Sequence, residues 1–168
     1  MRLDRLRFAA AAAAIVFLAA CGDNAGLPAG APGAQRERGG SFSAQHVGSL
    51  RYVPCSESKT GHFFFHGLGR AAYFHQNVEN GALIVRPSGG HCLWNGTATM
   101  TSLEHRSDSI VFTLSIKDGF RYDPCDAGAR YAVKRGTGKF ARASGSGAIF
   151  FDCYGSDFTD SWSGTITF

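Results

Sequence analysis

Four groups of residues in this chain have types and spacings that could do chemistry. The first is Gly136-Thr137-Gly138-Lys139-Phe140-Ala141, which satisfies the pattern G-x-G-x-x-A. That pattern holds a pyrophosphate only where it joins a strand to a helix whose first amides face the ligand. Here Ser144-Gly145-Ser146-Gly147 would end any helix within a turn. Nor is it a phosphate loop, because Gly138-Lys139 is followed by Phe140 where Ser or Thr is required. The run is therefore expected to be a structural turn, with Gly136, Gly138 and Gly145 shaping the backbone and Phe140 plugging one end of the fold. Lys139 is expected in solvent. No nucleotide or other cofactor is expected.

The second group is six histidines. His62 and His66 flank Phe63-Phe64-Phe65 in a segment that reads as a strand. Residues i and i+4 of a strand share a face but stand about 13 Å apart, too far for one metal ion. His46, His75, His91 and His105 are scattered, so no metal site is expected. The third group, Asp123 and Asp126 around Pro124-Cys125, is ordinary turn chemistry. No G-x-S-x-G elbow or H-E-x-x-H pair occurs, and no catalytic residue is assigned.

The fourth group is five cysteines. Cys21 stands apart from the rest. Arg2, Arg5 and Arg7 precede an apolar run, Phe8 to Leu18, that is too short to span a bilayer comfortably. The run closes on Leu18-Ala19-Ala20-Cys21, which resembles the bacterial lipobox. The resemblance implies cleavage before Cys21, a lipid on that cysteine and a membrane as partner. Gly22, not Asp, follows it, which by the same resemblance points to the outer membrane facing the periplasm. Residues 22–40, rich in Gly, Ala and Pro, cannot bury enough apolar surface to order themselves and are expected to be a tether. The expected organisation is thus a signal peptide over 1–20, a lipidated cysteine with its linker over 21–40, and one folded domain over 41–168. The remaining Cys55, Cys92, Cys125 and Cys153 sit in an exported domain, where two disulfides are expected; Cys55–Cys92 with Cys125–Cys153 is the favoured pairing.

The elements that must position these residues are strands. The chain has 168 residues, of which 44% are hydrophobic and 18% charged, with 22 Gly and 14 Phe. That composition excludes a disordered chain, a coiled coil and a multipass membrane protein. Loss of residues 1–20 removes three arginines and one aspartate, which leaves a net charge of +2 and no reason to expect nucleic acid as partner. Ser109 to Ile116 and Ser161 to Phe168 alternate apolar and polar residues with period two, the pattern of half-buried strands. Further strands are expected near 41–53, 61–76, 82–87, 93–103, 129–135 and 146–153, with Asn80-Gly81 as a hairpin turn and a bulge at Gly67 or Gly69. Eight antiparallel strands can close into a barrel and leave no edge; a two-sheet sandwich is the alternative. Phe63, Phe64, Phe65, Phe74, Trp94, Phe112, Phe140, Phe150, Phe151 and Trp162 are the residues that would fill the lumen or line a hollow one around a small apolar ligand.

The stretch from Tyr131 and Val133 through Gly136-Thr137-Gly138-Lys139-Phe140-Ala141 to Ala143-Ser144-Gly145 and Gly147 resembles the strand–turn–strand signature of the allene oxide cyclase and dirigent-like barrels. So do Trp162-Ser163-Gly164-Thr165-Ile166 and, more loosely, Gly67-Leu68-Gly69-Arg70-Ala71-Ala72. Arg135 and Arg142 stand where glycines are usual. The resemblance implies an eight-stranded antiparallel barrel and transfers no catalytic residue. Function is therefore expected to lie among three readings: a lipid-anchored envelope protein that binds or scaffolds, a lumen enzyme of the cyclase or isomerase type, and a structural lipoprotein that docks an unknown protein partner.

Overall fold

The computed structural model describes residues 39–56, 58–89, 91–116 and 127–168. The signal segment, Cys21, the linker before residue 39, Asp123, Cys125 and Asp126 lie outside the described residues. Eight strands follow in order: β1 (Gly39–Val53), β2 (Gly61–Ala71), β3 (His75–Ser88), β4 (His91–Ser102), β5 (Ser109–Ile116), β6 (Ala127–Thr137), β7 (Ser144–Tyr154) and β8 (Asp157–Thr167). Each pairs antiparallel with the next, and β8 pairs with β1, so the sheet is a closed up-and-down barrel and not a sandwich.

Strand parity decides what faces in. In β1 the residues Phe42, Ala44, His46 and Leu50 are buried, while Ser41, Ser43, Gln45 and Val47 between them are exposed. In β8 Phe158, Asp160, Trp162 and Ile166 point inward. A period of two against a closed wall leaves each side chain either in the core or in water.

The lumen is filled with aromatic rings. Phe42 on β1 and Phe112 on β5, four strands apart around the wall, stand 6.1 Å apart between ring centroids. Phe112 also meets Trp162 of β8 at 4.9 Å. Nearer the end that carries residues 54–60, Phe63 of β2 touches Trp94 of β4 at 5.9 Å and Phe151 of β7 at 5.6 Å. Rings that meet across the barrel axis leave no room between them for a substrate, and edge-to-face pairs add about 0.5–1.5 kcal/mol each beyond their burial. Phe64 and Phe150, expected inside, face outward and are about half exposed.

Two local expectations are corrected. Asn80-Gly81 does not turn; both lie within β3, whose pairing with β2 runs unbroken from His75 to Val85. Gly81 is small because it packs under a ring: a Cβ there would stand 2.6 Å from Cε2 of Phe65. The real turn is Ala72-Tyr73-Phe74, with positive φ at Tyr73 (71°) and His75 (59°); a bulky tyrosine is rare in that conformation, a histidine less so. Gly67 and Gly69 carry no bulge, since the β1–β2 and β2–β3 registers pass through them without a shift. The irregularity falls in β6, where Val111 opposes Arg135 and Phe112 opposes Val133, so Lys134 is the extra residue.

Cys55 and Cys92 form a disulfide, with Cα atoms 6.3 Å apart, and Cys153 is also disulfide-bonded. The closed loop spans 37 residues, worth about 4 kcal/mol by the loop-entropy relation. All three cysteines sit at one end of the barrel.

Candidate functional site

The opposite end is closed by the turn after β6. Gly138 takes φ 58°, a left-handed conformation that glycine adopts without steric cost, and begins a single 3-10 turn, Gly138–Phe140. Asp108 accepts a hydrogen bond from the Lys139 backbone N–H at 3.1 Å. Phe140 is fully buried, stacked on Phe74 at 4.4 Å and edge-on to Phe168 at 4.9 Å. Gly136 lies beneath it, where a Cβ would meet Phe140 Cβ at 2.9 Å, and Gly145 at the start of β7 has φ 145°. The dinucleotide pattern thus sits on a one-turn plug with no helix behind it. Lys139 is not free in solvent: its Nζ donates to the Tyr73 carbonyl at 2.7 Å and lies 5.0 Å over the Phe140 ring.

Among the inward-facing rings lies a buried polar cluster. His46 of β1, Asn77 and Glu79 of β3, and Asp160 of β8 all point inward and are at most 5% exposed. The register explains the meeting: His46 pairs with Asp160 on one side and with Gly69 on the other, and Gly69 pairs with Asn77. Gly69 makes the room. A Cβ on it would run into the Gln45 carbonyl oxygen and stand 2.6 Å from His46 Cδ2, and one on Gly67 would stand 3.1 Å from His46 Cβ. Gly69→Ala is therefore expected to cost about 1–3 kcal/mol or more, as overpacking does, while Leu68→Ala, on the exposed face between them, stays within about 0.5 kcal/mol. Chemical denaturation of the two variants checks this; equal losses would show that Gly69 does not accommodate the ring.

His46 Nδ1 lies 2.8 Å from Asp160 Oδ1 and 3.1 Å from Glu79 Oε2, and its Nε2 lies 2.8 Å from Asn77 Oδ1. The His46 backbone N–H also donates to Asp160 Oδ1, at 3.1 Å. A single Nδ1–H aims at Asp160, so Glu79 Oε2 is a close charge contact without a hydrogen bond of its own. Burial by itself would lower the His46 pKa; the hydrogen bond to Asp160 and the closeness of the Glu79 and Asp160 carboxyl groups outweigh it and push the pKa up to about 10. Both ring nitrogens then carry hydrogen, and Nε2–H donates to Asn77. Burial holds the Glu79 carboxyl well above its ordinary value, the neighbouring Asp160 adds to this, and His46 opposes it. Asn77 Nδ2, both Glu79 carboxyl oxygens and Asp160 Oδ2 are buried with no hydrogen-bond partner among the described residues.

The pH dependence follows with a definite sign. His46 keeps its proton in the folded state up to about pH 10 and loses it near 6.5 in the unfolded chain. Its contribution is full below pH 6.5 and is lost as pH rises through 10. Glu79 acts in the same sense from its ordinary value of 4.5 upward, because the folded state holds the proton that the unfolded state gives up. The metal-free chain is expected to lose stability between pH 6.5 and 9, by at most about 1.4 kcal/mol per pH unit for each proton. Urea midpoints at pH 5, 7 and 9 measure it, and His46→Gln should flatten the profile above 6.5. A wild-type stability that climbs across that interval would rule the assignment out.

None of these four residues was singled out as a site in the sequence. A usable signal was parity: His46 is in phase with Phe42 and Leu50, and Asn77 and Glu79 with Leu83 and Val85. A second buried polar group, the Tyr131 hydroxyl, has no hydrogen-bond partner among the described residues, and burial pushes its pKa up to about 12.

No family model and no curated protein matches the chain. Among solved structures, a pterocarpan synthase dirigent protein is similar in fold, with a TM-score of 0.50 and 13% sequence identity, over 84% of this chain and 96% of that one. At that identity the likeness is one of fold.

Proposed function

We propose that this chain is a lipid-anchored protein of the bacterial envelope whose disulfide-braced barrel serves as a rigid binding or scaffolding module. The observation that carries the reading is the filled lumen. Phe42 and Phe112 meet from opposite sides of the wall, so a lumen enzyme or a lumen carrier of a small apolar ligand would first have to part these rings. A solid, cross-braced barrel suits a module that presents its outer surface. The anchor is supported by the lipobox at Leu18-Ala19-Ala20-Cys21 and the Gly-, Ala- and Pro-rich tether behind it, and export by the disulfides at Cys55–Cys92 and Cys153.

Cell fractionation tests the anchor. Each buried CH₂ contributes about 0.8 kcal/mol, so two or more acyl chains hold a protein on a membrane against salt. The wild-type chain is expected in the membrane pellet after high-salt and carbonate washes and in the detergent extract afterwards. Cys21→Ala should leave the chain unprocessed or shed it to the soluble fraction. Wild-type protein that washes off with salt alone would overturn the anchor. Saturable binding of a small apolar probe, lost on Phe112→Trp, would turn the reading toward the lumen.

A further inference from the structure

We propose that His46, Glu79 and Asp160 form a three-ligand binding site for a divalent first-row cation of the zinc class. This goes beyond the envelope reading and stands or falls independently of it.

Geometry is the first support. One ligand atom from each residue can be chosen so that all lie within 4.8 Å of one another, with His46 Nδ1 at 2.8 Å from Asp160 Oδ1 and 3.1 Å from Glu79 Oε2. A tetrahedral zinc ion with bonds of about 2.0–2.1 Å keeps its ligand atoms roughly 3.3 Å apart. The two separations from His46 Nδ1 fall within about half an ångström of that spacing, and the third lies within 4.8 Å.

The second support is independent of the spacing. Both carboxyl oxygens of Glu79 and Oδ2 of Asp160 are buried with no hydrogen-bond partner among the described residues. Buried polar oxygens are normally satisfied, because leaving one unpaired costs about 1–3 kcal/mol. Buried acceptors without donors, on residues whose ligand atoms lie within 4.8 Å of one another, are what a cation satisfies.

The surroundings suit ligation as well. Asn77 Oδ1 takes the hydrogen of Nε2 at 2.8 Å, which leaves Nδ1 as the ligating nitrogen. The His46 backbone N–H fixes Asp160 Oδ1 at 3.1 Å. Such outer contacts orient metal ligands and fix the imidazole tautomer. One neutral imidazole and two carboxylates carry −2, which a divalent ion cancels, as a buried site requires. An imidazole nitrogen with two hard oxygens favours zinc or its first-row neighbours over soft monovalent ions. On binding, Nδ1 and the carboxyl oxygens form dative bonds to the ion, and any hydrogen they carried passes to solvent.

Zinc content of the full chain tests the site. Protein is made in cells grown with added zinc sulfate, extracted in detergent and dialysed without chelator. About one zinc per chain is expected, retained in a His62→Gln, His66→Gln, His75→Gln variant and reduced at least tenfold in Glu79→Gln. Zinc K-edge absorption of the wild type should show a single imidazole among light-atom ligands. That measurement decides the matter even if Glu79→Gln fails to fold. Zinc-free wild-type protein, or a spectrum with two or more imidazoles, which would mark an adventitious ion on surface histidines only, overturns the proposal.

Discussion

Replacing Asp160 with alanine will destabilise the metal-free barrel by about 3–5 kcal/mol, measured by urea or guanidinium unfolding at pH 7. The cause is not the loss of an attraction alone. Asp160 accepts from both Nδ1 and the backbone N–H of His46, and the ring stays in place after truncation. A charged, fully buried imidazole would then face Glu79 as its remaining acidic neighbour. Leaving one member of a buried pair uncompensated costs far more than removing both. The double variant His46→Gln, Asp160→Asn should therefore lose less than the two single variants added together, a coupling of the order of 1–3 kcal/mol. A loss below about 1 kcal/mol for Asp160→Ala would mean that the imidazole is not charged.

The second large effect is expected at the plug. Phe140→Ala should cost about 3–5 kcal/mol, because the ring is completely buried between Phe74 and Phe168 and its removal opens a cavity that the turn cannot close. Lys139→Ala, one residue away, should cost no more than about 1 kcal/mol. Its bond to the Tyr73 carbonyl and its position over the Phe140 ring are partly exposed, and such contacts compete with water. Thermal unfolding of both, with and without nucleotide, separates plug from phosphate loop. A nucleotide-dependent rise in Tm that vanishes in Lys139→Ala would assign the turn to a ligand.

How far the sequence could be followed depended on the range of each interaction. The alternation of Ile110, Phe112, Leu114 and Ile116 is a local fact, and it placed β5 with its observed bounds. The number of strands and their closure followed from similar local patterns. Asn80-Gly81 misled because a glycine that clears a ring on the neighbouring strand looks the same in sequence as one that turns the chain. The Tyr73 turn was invisible for the opposite reason, since its positive φ is imposed by the strands it joins and by no residue of its own. The polar cluster lies furthest out of reach: His46 and Asp160 are 114 residues apart and meet only when the barrel closes. Reading β8 from Ser161 onward also left Asp160 just outside the strand that buries it.

That closure has a kinetic consequence. The seam between β1 and β8 joins the first described strand to the last, with Gly39 opposite Thr167. Every other neighbour pair in the wall is consecutive in the chain and can zip up as a hairpin. The seam alone must gather a loop of well over a hundred residues, and the entropy of that step is met before any of its contacts forms. It should therefore be the last pairing made during folding and the first to part during unfolding. Until it forms, β1 and β8 both stand as open edges, and a chain emerging N-terminus first has β1 in place long before β8 has arrived. From Thr159 on, serines and threonines fill the outward positions of β8, and β1 shows Ser41, Ser43, Gln45 and Ser49 outward beside Val47, Arg51 and Val53. Serine and threonine supply neither the charge nor the proline that turns a stray strand away, so these edges stay open to pairing until the seam closes.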